Sequence, residues 1–284
     1  MEIFSSTIIP TINRATLSRA VCSVLDQEFS SADFEVIVVN DSGQSLPDMD
    51  WRHSRRVREI NTNRRERSVA RNTGAAIAQG RYLHFLDDDD VLLPGALDAF
   101  WKLSQEASNA SWLYGSYRTV DNDDNLIEEI HPGITRDIIA LLVAGEALPF
   151  QASFFEAKQV FAAGAFDSTI TGVEDRDLGR RIALCTMVAY TPAVVAQIRI
   201  GEQGSTTNWA ILDEDDRRGR EKILNVQNAS PRLRVSADSL YWYGRLIRSY
   251  CYGRILRTYI ASMVWNLQRK NWLIASSRAI ASLA

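Results

Sequence analysis

Residues 81–94 read Arg-Tyr-Leu-His-Phe-Leu-Asp-Asp-Asp-Asp-Val-Leu-Leu-Pro, an apolar strand pattern running straight into four adjacent carboxylates. Four neighbouring carboxylates repel one another. Placing them at the end of a buried strand costs free energy unless something neutralises them. A divalent cation does this, because Mg²⁺ or Mn²⁺ is held by one or two carboxylates while water and substrate phosphates complete its shell. The carboxyl ends of parallel strands are also where open α/β sheets bind ligands. In isolation, the acidic run would read as a solvated loop entering the helix expected over 94–107, whose Pro94 suits a first turn. The strand before it and the blocks around it favour the cation site.

Those blocks lie upstream and downstream. Asn40-Asp41-Ser42-Gly43 ends the apolar run Phe34–Val39, and Pro10-Thr11-Ile12-Asn13-Arg14 ends the run Ile3–Ile9. Each alone reads as a polar turn or helix cap. Three strand ends with polar side chains converging on one sheet edge read instead as a pocket, in which the Asp41 carboxylate would accept from a nucleobase N–H or a ribose hydroxyl. Arg64, Arg65, Arg67 and Arg71 lie before or within the helix expected over 66–79, which contains Ala70-Arg71-Asn72-Thr73-Gly74. Arg71, and more weakly Arg67, reads as a phosphate clamp beside a metal–diphosphate site. A second acidic block, Glu174-Asp175-Arg176-Asp177, opens the helix expected over 174–184. Acids favour the positive end of a helix dipole, so capping alone would explain it. The functional reading makes one of these acids a general base.

Alternation of β-rich runs with helical patterns predicts an α/β fold with a mixed, mostly parallel sheet flanked by helices. Strands are expected over 3–9, 34–39, 57–60, 81–86, 112–120 and 187–199, with helices over 15–26, 66–79, 94–107, 174–184 and 209–228. Pro10 is expected to end the first strand, and Asp121–Asn125 reads as a turn. The organisation expected is a catalytic domain over 1–208, a charged connecting helix over 209–231, and a helical extension over 232–284.

The composition, 46% hydrophobic and 24% charged with a net charge of −3 over 284 residues, is that of a globular protein and excludes disordered, collagen-like and disulfide-stapled classes. The charge is divided: from Arg232 onward nine Lys/Arg face one acid, Asp238, so the tail carries +8 and residues 1–231 carry −11. An acidic body argues against nucleic acid as a partner. The tail also holds eight Tyr/Trp between Leu240 and Leu283. It reads equally as a peripheral membrane contact over 240–283, near an anionic inner leaflet, or as a helical pair packed on the body or on another copy. Cys22, Cys185 and Cys251 match no metal or redox spacing and read as reduced thiols of a cytoplasmic protein. The N-terminus lacks the basic start of a signal peptide, and the longest charge-free run, Ile182–Ile198, is short for a membrane span and reads as core structure broken near Pro192.

Together these blocks resemble the family 2 glycosyltransferases, which have the GT-A fold. The resemblance rests on Ser6–Arg14, Glu35–Asp41, Ala70–Gly74, Phe85–Asp90, Gly164–Asp167 and Glu174–Leu178, in order and at fitting intervals across roughly 3–205. It implies nucleotide contacts at Thr11, Asn13, Asp41, Arg71 and Asp88, with Asp41 reading the base. It also implies Mn²⁺ or Mg²⁺ on Asp89 and Asp87, and Asp175 as catalytic base. The implied reaction inverts the configuration at the sugar C1, moving one sugar from a nucleotide-sugar donor, a UDP-sugar being favoured, to a hydroxyl of a sugar or lipid-linked acceptor. Cell-surface polysaccharide, lipopolysaccharide or glycolipid would be the product. The family usually has an acid where Asn40 stands and a glycine near Glu66, and the QxxRW motif of processive synthases is absent. Two rivals are a metal-dependent nucleotidyltransferase and an inactive scaffold of the same fold.

Overall fold

A computed structural model of the chain describes residues 3–63, 66–135, 138–144, 147–200 and 209–224. In chain order its elements are β1 (Ile3–Thr11), α1 (Leu17–Leu25), β2 (Asp33–Asn40), β3 (Val57–Asn61), α2 (Arg67–Ile77), β4 (Tyr82–Phe85), β5 (Val91–Leu92), α3 (Ala96–Glu106), β6 (Ala110–Val120), β7 (Leu126–Ile130), α4 (Ile139–Ala144), β8 (Ser153–Glu156), α5 (Ala157–Ala162), α6 (Glu174–Ala183), β9 (Met187–Arg199) and α7 (Trp209–Leu224). The chain divides into two compact units, Met1–Ile138 with Leu148–Gly219, and Ile139–Ala147 with Arg220–Ala284. The described strands all belong to the first unit, and α4 belongs to the second. The tail over 232–284 lies outside the described residues, as do Arg64, Arg65 and segment 201–208. No helix among the described residues is long and apolar enough to cross a membrane.

One mixed sheet runs β3-β2-β1-β4-β8-β6-β9-β5, with β7 paired to β6. The longer ladders, β1 with β2, β2 with β3 and β6 with β9, are parallel. β8 runs antiparallel to both β4 and β6. The chain leaves β1 toward β2 and β3, then crosses back to place β4 on the other flank of β1. The crevice beyond the ends of β1 and β4 is therefore the topological switch point, where such sheets bind ligands.

The packing explains the sequence pattern. Phe34, Val36 and Val38 of β2 face a core that includes Phe4, Leu17, Val21, Leu97, Phe100 and Phe154, under α1 and α3. The intervening Ile37 and Val39 are equally buried, so the run carries no alternation, as expected of a strand covered on both faces. On that second face α2 lies close to the sheet. A Cβ at Gly74 would fall 2.5 Å from Ile8 and 3.0 Å from Val39, so only glycine lets the helix approach.

β1 continues through Pro10 to Thr11 rather than stopping at Ile9. The Leu86 amide donates to the Ile8 carbonyl, which places the even positions of β1 toward β4. Pro10 thus turns its missing N–H to a flank where β4 has already ended at Phe85, and no ladder bond is lost. Strands β5, β7 and β8 and helices α4 and α5 are additions to the sequence expectation. β5 spans two residues, β7 is exposed along nearly its whole length, and β8 is a four-residue strand. None carries a periodic signal long enough to read.

Candidate active site

The site is built from the ends of β1, β2 and β4 and the starts of α2 and α6. Thr11, buried at the end of β1, donates from Oγ1 to Asp88 Oδ2 at 2.6 Å and accepts from the Asn13 amide at 2.9 Å. Asn13 has φ +69°, a left-handed conformation that asparagine tolerates better than most residues. Past this bend, Arg14 Nη1 donates to Asp88 Oδ1 at 2.8 Å and to Asp89 Oδ2 at 3.0 Å.

The acidic run is held from several sides. Asp87 accepts from Arg71 Nη2 at 2.6 Å on one oxygen and from Gln151 Nε2 at 2.9 Å on the other. Asp90 accepts from the Arg199 amide at 2.8 Å, and its own amide donates to the Asp87 carbonyl. Burial lifts the carboxyls of Asp88, Asp89 and Asp90 above the usual range, and repulsion within the run adds to the lift, which is large for Asp90. Asp87 goes the other way: burial pushes it up, but the Arg71 guanidinium holds it below its ordinary value.

Carboxylate oxygens of Asp87, Asp89 and Asp90 all lie within 4.8 Å of one another. An octahedral ion with ligands at about 2.1 Å spaces them roughly 3–4 Å apart, so small side-chain rotations close the set. Three carboxylates and no sulfur or imidazole is a hard donor set that suits Mg²⁺ or Mn²⁺. Asp90, the member that the sequence reading left out, is signalled only as the fourth residue of the run.

Arg71 joins the two acidic blocks. It is 7% exposed, with Nη2 on Asp87 and Nη1 on Glu174 Oε1 at 2.8 Å, and its guanidinium lies over the Phe166 ring at 5.4 Å. Burial alone would lower its pKa, but the two carboxylates raise it. Both terminal nitrogens of the expected phosphate clamp are thus committed to carboxylates. The neighbouring Asn72 explains the next motif residue: its Nδ2 donates to the Phe166 carbonyl at 2.8 Å, and its Oδ1 accepts from the Phe166 amide at 2.9 Å. This pair fastens α2 to the stretch following Gly164 and Ala165, both at positive φ.

The acids opening α6 have separate environments. Glu174 is buried against Arg71, with Arg67 Nη1 at 3.4 Å, and burial raises its carboxyl despite these partners. Asp177 is buried and accepts from Arg181 at 2.7 Å. Asp175 lies between them, half-buried, with Oδ1 accepting from the Arg176 amide at 2.7 Å. Capping alone does not account for Glu174, whose partners come from α2.

At the end of β2, Asp41 accepts from Thr62 Oγ1 at 2.7 Å and from the Glu66 amide at 2.6 Å. The structure explains both departures from the family pattern here. Asn40 Nδ2 donates to the Gln44 carbonyl at 2.6 Å and to Asn61 Oδ1 at 2.7 Å, which a carboxylate could not do. Glu66 caps α2, accepting from the amides of Ser68 at 2.8 Å and Val69 at 2.7 Å.

Thr11, Asn13, Arg71 and Asp87–Asp89 are thus brought into one hydrogen-bonded cluster, with Asp175 adjacent through Glu174. Asp41 is tied to this cluster through its own amide, which donates to the Thr11 carbonyl at 2.8 Å. Gln151 is the member that no sequence feature marks. It lies in the 3₁₀ turn Phe150–Ala152, and its carbonyl accepts from His84 Nε2 at 3.0 Å. A carbonyl only accepts, so Nε2 carries the proton and Nδ1 is left to accept from Thr7 Oγ1 at 3.2 Å. Burial lowers the His84 pKa to about 4, so the ring is neutral at neutral pH.

The model of the family described as "Glycosyl transferase family 2" matches residues 6–155. Among curated proteins, the chain is 34% identical over 118 residues to "Poly(ribitol-phosphate) beta-N-acetylglucosaminyltransferase TarP" of Staphylococcus aureus, a match covering 39% of this chain and 36% of that one. It is 30% identical over 122 residues to "UDP-Glc:alpha-D-GlcNAc-diphosphoundecaprenol beta-1,3-glucosyltransferase WfgD" of Escherichia coli, covering 42% and 47% respectively. The matched stretch is therefore less than half of either relative's length. Among solved structures, S. aureus TarS 1–349 superimposes with a TM-score of 0.67 at 16% identity, covering 89% of this chain and 73% of that chain. The same TarS fragment in complex with UDP-GlcNAc gives 0.63 at 13% identity, covering 95% and 92%. At such identities the likeness is one of fold, the GT-A arrangement.

Proposed function

The chain belongs to glycosyl transferase family 2, and on that premise we propose that it transfers one sugar, with inversion, from a nucleotide-sugar donor to an acceptor hydroxyl. The observation that carries this reading is the Arg71 bridge, which places the acidic run of β4 and the acids of α6 on one guanidinium. A donor diphosphate and an acceptor hydroxyl need those two groups side by side.

In this reading the nucleoside lies over the ends of β1 and β2, against Thr11, Asn13, Asp41 and Asp88. Asp87 and Asp89, joined by Asp90, would hold Mn²⁺ or Mg²⁺, which supplies Lewis-acid stabilisation of the leaving diphosphate. Arg71 keeps Asp87 ionised and fixes Glu174, and Gln151 orients the second oxygen of Asp87. Asp175 takes the proton from the acceptor hydroxyl as its oxygen forms the bond to the sugar C1, on the face opposite the departing nucleoside diphosphate. The catalytic unit is residues 1–208, and the connecting segment 209–231 opens with α7. A UDP-sugar is the favoured donor, supported by the UDP-sugar named for the E. coli relative and by the fold shared with a UDP-GlcNAc-binding neighbour. A sugar hydroxyl of a lipid-linked or cell-surface glycan is the proposed acceptor. Its source would be the inner face of the membrane, contacted by residues 240–283.

The test is a thermal shift of the purified chain with UDP, dTDP, GDP and CMP, each with Mn²⁺ and with EDTA. A ligand at about 100 times its dissociation constant adds roughly 2.7 kcal/mol, which is easily seen. Cation-dependent stabilisation by one diphosphate is expected. No shift with any nucleotide would favour the inactive scaffold.

A further inference from the structure

The acidic run has two arginine partners with opposite characters. Arg71 is buried and bonded at both ends, to Asp87 and Glu174, so it is a fixed part of the wall. Arg14 is different. Its side chain is 45% exposed, and its bonds to Asp88 and Asp89 both leave from the single nitrogen Nη1. Its backbone, however, is anchored: the Arg14 carbonyl accepts from the Leu17 amide at the start of α1, next to the left-handed Asn13. An anchored base with a long, half-exposed arm is the geometry of a side chain that changes partners.

The two carboxylates that it touches would respond differently to its departure. Asp88 would keep Thr11 on Oδ2 at 2.6 Å and give up only the partner of Oδ1. Asp89 is the more open of the pair, with a side chain 34% exposed, and its oxygens belong to the set that would hold a cation. A guanidinium nitrogen 3.0 Å from Asp89 Oδ2 competes with a dication for that oxygen. Resting on the reading of the site as one for a divalent cation and a nucleoside diphosphate, we propose that Arg14 is an exchangeable counter-ion. It yields Asp89 to the cation and donates to the donor diphosphate, two of whose oxygens its planar fork can bond at once. Arg14 thereby couples the two ligands: it opposes the cation when no diphosphate is present to receive it, and favours both when one is.

The test needs no turnover. Mn²⁺ alone, then UDP at saturating Mn²⁺, is titrated calorimetrically into the full chain and into R14A, R14Q and R14K. The expected signature has opposite signs. R14A and R14Q bind Mn²⁺ alone about 5-fold tighter or more, and bind UDP–Mn²⁺ weaker by a similar factor, the low end of ordinary coupling. R14K keeps the charge and stays near the wild type for Mn²⁺ while recovering only part of the UDP affinity. If both affinities fall together, Arg14 is merely shaping Asp88, and the proposal fails. Mn²⁺ binding unchanged in R14A and R14Q also overturns it, leaving the cation site itself intact. Absence of Mn²⁺ binding in the wild-type chain would overturn the cation-dependent reading along with this one.

Discussion

Arg71 Nη1 donates to Glu174 Oε1 at 2.8 Å across 103 residues of sequence, while its Nη2 holds Asp87 at 2.6 Å. One side chain of α2 therefore sets the distance between the acids that end β4 and those that open α6. Its burial makes the arrangement stiff, since neither carboxylate can relax toward solvent without leaving a charged partner behind.

Replacing Arg71 tests that stiffness. Arg71→Met fills similar space but strands Glu174 and Asp87, and removing one partner of a buried pair costs about 3–5 kcal/mol. A fall of about 10 °C in the melting temperature is expected for a chain of this size. Arg71→Lys is expected to recover only part of it, because one ammonium cannot span both carboxylates. Melting within a degree or two of the wild type would show that the bridge is not needed for the fold.

Asp175→Asn removes the proposed base without changing its volume. Turnover, followed as nucleoside diphosphate release, should fall by about 10²–10⁴-fold, the usual worth of a positioned general base. Stabilisation by UDP and Mn²⁺ in a thermal shift should remain. Loss of nucleotide binding along with turnover would place Asp175 in the donor site instead.

Gln151→Ala takes the second partner from Asp87 and leaves the backbone of the 3₁₀ turn in place. Partners behind a metal ligand are typically worth about 10–100-fold in metal affinity. Mn²⁺ affinity is expected to fall by about 10-fold with little change in melting temperature in EDTA. An unaltered affinity would reduce Gln151 to a packing role.

His84 carries the expected pH dependence. Burial lowers its pKa to about 4, whereas an unfolded histidine titrates near 6.5. Below pH 6.5 the unfolded chain therefore binds a proton that the folded chain refuses, and stability is lost as pH falls toward 4. The shift corresponds to about 3 kcal/mol over that window. His84→Gln has no such proton to bind, and its stability should vary less between pH 6.5 and 4 in denaturant titrations. Parallel profiles for both proteins would place the acid sensitivity elsewhere.

Much of this was readable along the chain. The buried strands announced themselves as mostly apolar runs because a strand covered on both faces admits few polar residues, those present, such as Ser6 and Glu35, being bonded to one another, and the polar residues ending them marked the edge where the site is proposed. Asp87–Asp90 was conspicuous because four adjacent charges at a strand end demand an explanation. Local sequence could not show that Asn72 clasps Phe166, or that Glu66 is a helix cap.

The sequence by itself determined the α/β class, the order of the blocks and the acids on which the chemistry would rest, because those depend on local patterning and on charges set side by side. Tertiary structure alone decided which partner each charge would have. Arg71, read as a phosphate clamp, came to bond Asp87 and Glu174, Gln151 joined Asp87 across 64 residues, and Arg14 came to lie on Asp88 and Asp89. Such pairings depend on which strand ends the crossovers bring together, and Coulombic attraction and hydrogen bonding act over a few ångströms of space whatever the separation along the chain.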